Sequence, residues 1–140
     1  MDYTFSYDGA YTIELPEDYA SNIEDVFGMS FSEFNDALDA GEIQFALADP
    51  ATQKWINKGT PATTYYTNLA GQVTQADADD FAISAAYEMN SNGVESLIFK
   101  YNNTLAEGTT GQICVGFVDK NDEGKAMKFM ISYYIGALGK

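Results

Sequence analysis

Five apolar side chains at every second position, Met127, Phe129, Ile131, Tyr133 and Ile135, constrain this chain more than any other feature. Extended backbone sends successive side chains to opposite faces, so such a run offers one face to a core and the other to solvent. The same period returns in Tyr3, Phe5 and Tyr7, in Tyr11, Ile13 and Leu15, and in Ile43, Phe45 and Leu47. It returns again in Phe81, Ile83, Ala85 and Tyr87, and in Ile113, Val115 and Phe117. β-branched and aromatic residues fill 63–68, a short run around 72–74 follows the 68–71 turn, and 95–101 is a further strand segment after the 90–93 turn. Turn formers separate the runs at Asp49-Pro50, Gly59-Thr60-Pro61, 90–93, 102–110 and 119–124. About eight or nine short strands joined this way predict a mostly β fold, an antiparallel β-sandwich.

The first two runs flank Asp8-Gly9, and Asp-Gly between alternating segments is a strong hairpin signal because glycine accepts positive φ. A hairpin over 2–15, closed by Pro16, is therefore expected as an N-terminal extension (1–19) of a main domain spanning 20–140. The one amphipathic helix expected runs over about residues 31–40. Ser30 and Glu33 form a capping box, Met29 can staple to Phe34, and Phe31, Phe34 and Leu38 share a face that Gly41 ends. A shorter turn is expected at 22–27. No linker-like stretch divides the chain, and its 46% apolar content fills a core without disulfide or metal.

Charge narrows the partners. Acidic residues number 21 and basic residues 7, a net charge of −14 that repels phosphate backbones and anionic headgroups. Nucleic acid and membrane insertion are therefore not expected. The chain has no histidine and one cysteine, Cys114, set within an apolar alternating run. That removes Ser-His and Cys-His catalysis and thiolate zinc clusters, and assigns Cys114 to the core. No acid stands in a setting apolar enough to make a tuned proton donor for glycoside hydrolysis. The chain reads as a non-enzyme without a cofactor. Met1 is not followed by a signal-peptide pattern, which reads as a mature exported domain whose signal has been removed.

Two constellations are candidate sites. Trp55, the only tryptophan, lies in a polar stretch with Asn57, and Tyr65, Tyr66 and Asn68 follow. Aromatic rings stack on the C–H faces of sugars while amides bond hydroxyls, so these five residues form a candidate carbohydrate platform. Adjacent strand residues point to opposite faces, so only one of Tyr65 and Tyr66 can join it. A packing role for Trp55 is the competing reading. Asp77, Asp79 and Asp80 make an acidic turn able to gather oxygen ligands around calcium, the one metal candidate; an ordinary solvated loop is its plainer account. Asp119-Lys120-Asn121-Asp122-Glu123-Gly124 opens like a calcium loop but has Met130 at the twelfth position, so a hairpin turn is expected there.

The segment Val26-Phe27-Gly28-Met29-Ser30-Phe31-Ser32-Glu33-Phe34, followed by Leu38-Asp39-Ala40-Gly41-Glu42-Ile43-Gln44-Phe45, resembles the opening of a domain-of-unknown-function family of secreted and surface proteins in Bacteroidetes. Tyr65-Tyr66 with Gly71 and Val73, and the closing stretch with Gly116 and the 128–135 run, are similar to its later strands. The resemblance covers about residues 23–136. It implies an extracytoplasmic accessory domain, secreted or at the cell surface, beside glycan-degrading and glycan-binding modules, and it carries over no functional residue. The expected function is carbohydrate binding, with adhesion to or assembly with a neighbouring surface protein as the alternative and a small glycoside hydrolase third.

Overall fold

The alternating runs fold into two sheets that face each other across an aromatic core. The computed structural model describes residues 10–75, 81–102 and 104–136, and the backbone of 2–5. In chain order the elements are β1 (Asp2–Phe5), β2 (Ala10–Glu14), α1 (Leu15–Asp18), α2 (Ala20–Phe27), α3 (Phe31–Asp39), β3 (Ile43–Ala48), β4 (Trp55–Gly59), β5 (Thr64–Thr67), β6 (Ile83–Met89), β7 (Glu95–Tyr101), β8 (Thr110–Asp119) and β9 (Asp122–Ile135). One sheet has the order β1-β9-β8-β3-β4, the other β2-β7-β6-β5. All pairings are antiparallel except β1 with β9. The β-sandwich expected from the alternation is the observed fold.

Rings dominate the space between the sheets. Phe117 of β8 meets Phe34 edge-on at 5.0 Å and Tyr87 at 5.4 Å between ring centroids, and Phe45 lies 5.7 Å away on β3. Such edge-on and tilted pairs add about 0.5–1.5 kcal/mol each beyond the area they bury. The helices close this core with side chains of their own: Phe34, Leu38 and Ile23 are buried, and Tyr19 stands edge-on to Phe129 of β9 at 5.0 Å.

α3 forms where its signals place it. The Ser30 hydroxyl accepts from the Glu33 N–H, and the Glu33 carboxylate accepts from the Ser30 N–H in return. The Ser30 backbone N–H first, and its hydroxyl second, hold the Glu33 carboxyl below its ordinary range. Ala40 caps the C-terminus and Gly41 follows at φ 78°, the left-handed turn expected of it.

Three N-terminal expectations are corrected. The runs at 2–5 and 10–14 do not pair as a hairpin: β1 lies against β9 in one sheet and β2 against β7 in the other. Alternation marks a strand without naming its partner, and a two-stranded ribbon alone is only marginally stable, whereas long neighbours hold each of these strands as an edge. The expected turn Asp8-Gly9 lies outside the described residues. Leu15 and Pro16 begin α1 instead of ending the strand, since proline is well placed at the first turn of a helix. The turn expected at 22–27 is the full helix α2, ended by Gly28 at φ 69°.

Candidate functional site

The outward face of the five-stranded sheet is built from rows that register pairing sets across the strands. One row reads Lys128, Gly116, Ala46, Lys58, and the next Met130, Cys114, Ala48, Trp55. The two central strands thus contribute only small side chains, and Ala46, Ala48 and Cys114 are fully buried although they face away from the core. Long side chains from the flanking strands lie over them. The Lys128 ammonium stands 5.0 Å from the centroid of the Trp55 ring and donates to the Gln53 carbonyl. On the far side Lys58 pairs with Glu123. Between them is a shallow depression of about 410 Å³ lined by Gln53, Lys54, Trp55, Lys58, Glu123 and Lys128.

Trp55 reaches this face through a bulge. The β3–β4 register passes from Leu47 opposite Asn57 to Ala48 opposite Trp55, so Ile56 is the extra residue. Bulges re-aim side chains, and this one puts Trp55 on the outward face beside Lys58. Trp55 therefore opens strand β4 where a polar loop was expected. Gln53, two residues before it, holds φ at 60°, a left-handed conformation unusual for a residue with a Cβ and costing about 1–3 kcal/mol. That conformation closes the β3–β4 turn, in which the Gln53 N–H donates to the Asp49 carbonyl and the Asp49 N–H to the Lys54 carbonyl.

The five candidate platform residues are not brought together, even with only one of the two tyrosines counted. Asn57 is exposed but registers with inward-facing Leu47, on the opposite face from Lys58. Tyr65 is a core residue, 3% exposed: its hydroxyl donates to the Phe45 carbonyl at 2.6 Å and its ring lies 5.2 Å from that of Phe45. Burial pushes its phenol up to about 12, against a smaller downward pull from the Gly59 N–H. Tyr66 lies on the outward face of the other sheet, edge-on to Phe81 at 5.3 Å. The Asn68 side chain is spent on its own turn, accepting from the Ala70 and Gln72 N–H groups at 3.0 Å each. Only Trp55 remains at the site. The residues that join it, Gln53, Lys54, Lys58, Glu123 and Lys128, were missed; Lys54-Trp55-Ile56-Asn57-Lys58 was the available local signal.

Asp77, Asp79 and Asp80 lie outside the described residues. Among the described residues no group of three metal-ligating acids, cysteines or histidines occurs. The 119–124 segment is a hairpin turn, as expected: Asp119 accepts from the Asn121 N–H and Asp122 from the Gly124 N–H. Cys114 is buried, and burial pushes its thiol up despite nearby Lys128. No helix among the described residues is long and apolar enough to cross a membrane. Set against protein families, curated proteins and solved structures, the chain matches none.

Proposed function

We propose that this chain is a non-catalytic binding module, an exported accessory domain whose site is the Trp55 depression and whose ligand is a saccharide. One observation carries the reading: the only tryptophan of the chain is partly exposed in a shallow, polar-rimmed depression instead of sealed in the core. An indole offers an apolar face to sugar C–H groups, and the surrounding amide, ammonium and carboxylate groups can bond hydroxyls. A volume of about 410 Å³ falls within the range of small-molecule sites. The absence of histidine from the chain supports a binding role over catalysis. So does the lining, in which Glu123 is the single carboxylate and is already paired with Lys58, whereas glycoside hydrolysis uses two.

Affinity electrophoresis against a panel of soluble polysaccharides tests this. At least one polymer is expected to retard the protein. Trp55→Ala should weaken that interaction about 30-fold, the effect of truncating an interface tryptophan worth about 2 kcal/mol, with an unchanged circular dichroism spectrum. Retardation by no polymer, or equal retardation of the variant, overturns the proposal.

A second reading, docking of a neighbouring surface protein, draws on Leu69 and Val73, which are 42% and 48% exposed on one loop. Leu69→Ser with Val73→Ser would abolish such docking and leave polysaccharide retardation untouched.

A further inference from the structure

We infer that the saccharide taken by the Trp55 depression is anionic, a polysaccharide bearing carboxylate or sulfate groups. This rests on the reading of the depression as a saccharide site and adds the charge of the sugar. The observation is where the cations are. All seven basic residues of the chain are lysines, set against 21 acids, and three of them line this depression beside one glutamate. Three positive charges less one negative leave the lining at +2, on a chain whose net charge is −14.

Lys58 is paired, with Glu123, but among the described residues neither Lys54 nor Lys128 makes an ion pair. Lys128 is held by neutral partners, the Gln53 carbonyl and the Trp55 ring. Both fix the position of the ammonium and leave its charge uncompensated. At physiological ionic strength charges beyond about 8 Å are largely screened, so an approaching ligand meets the local field of the lysines more than the net charge of the chain. A fixed cation beside an indole suits a sugar ring whose C–H face meets the aromatic surface while its anionic substituent reaches Lys128 and Lys54.

Calorimetric titration of the full chain with matched polymers tests the inference: polygalacturonate against its methyl ester, dextran sulfate against dextran, and polyglutamate as a charged chain without sugar. At least one acidic polysaccharide should bind about fivefold to tenfold more tightly than its neutral counterpart, the sum of two exposed charge contacts. That margin should collapse at about 0.5 M salt, where the screening length falls to a few Å. Lys54→Gln and Lys128→Gln should each remove part of it, while Lys128→Arg, which keeps charge and ring contact, should retain it. Glu123→Gln releases Lys58 and should tighten binding by up to about fivefold, a gain that a damaged fold would not produce. Equal binding of acidic and neutral polymers, with silent lysine substitutions, overturns the anionic inference and leaves the saccharide reading standing. Polyglutamate bound as tightly as the best polysaccharide overturns it in another way, since the site would then read charge without sugar. Binding of none of these, and of no neutral polysaccharide, removes both readings.

Discussion

Replacing Tyr65 with phenylalanine removes a single oxygen atom and asks whether that side chain belongs to the core or to a ligand. The hydroxyl donates to the Phe45 carbonyl while the ring packs on Phe45. Tyr65→Phe keeps the ring and removes the hydroxyl's bond to the Phe45 carbonyl, a loss of about 1 kcal/mol. Tyr65→Ala also opens a cavity, and the comparable cost is about 3–5 kcal/mol. Urea melts of the two variants should fall in that order, and neither change should alter the intrinsic affinity for polysaccharide. Alkali supplies an independent check. The Tyr65 phenol is raised to about 12 in the fold, against about 10 when unfolded. The unfolded chain therefore releases its proton first, so the associated stability is complete below about pH 10 and is lost as pH rises through 12. Tyr133, also pushed up to about 12 by burial, acts in the same direction. The melting temperature should fall steeply between these pH values, and less steeply for Tyr65→Phe. A Tyr65→Phe variant that kept its stability and its alkaline profile but bound polysaccharide tenfold more weakly would refute the core assignment and restore Tyr65 to the platform.

Two further outcomes test how the site is supported. Ser30→Ala removes one half of the capping box at the start of α3 and should cost about 1 kcal/mol by thermal or urea melt, with binding unaffected. Gly116→Ala should cost at least about 1–3 kcal/mol, because a Cβ there would stand 1.9 Å from the Met127 carbonyl, a backbone atom that cannot step aside; since Gly116 lies in the row beneath Lys128, polysaccharide binding should weaken with it, and normal stability in this variant would overturn the close-approach argument.

Strands were legible here wherever one face of a run is buried and the other is not, since burial alone then imposes the period of two. β9 shows this best: Met127, Phe129, Ile131, Tyr133 and Ile135 are all buried, and the residues between them are more open. α3 was legible because capping is local chemistry, two side-chain bonds within four residues. α2 lacks that chemistry. Its N-cap is Tyr19, without a side-chain bond, and the helix is held by what Ile23 and Phe27 bury and by the Phe27–Phe34 contact at 5.6 Å. Contacts of that kind exist only once the core exists. The N-terminal strands are the same case in another form: their alternation marks them as strands, but their partners, β9 and β7, lie far along the chain.

The site was the least legible part, and the cause is specific. Tyr65 and Trp55 were both candidate platform residues, and nothing local separates a tyrosine that spans to the opposite sheet from a tryptophan left outside. The separation comes from the bulge at Ile56, one extra residue in β4, without which Trp55 and Asn57 would keep the common face that their spacing implies. Periodicity carries no record of a bulge. Lys128 is further still from any local signal, because it meets Trp55 only by lying across β8 and β3, and it can do so only because Gly116 and Ala46 leave that row empty of bulk. A charged aromatic site of this kind is therefore a property of a row through four strands. Changing either small residue to a larger one should displace Lys128 as surely as changing Lys128 itself.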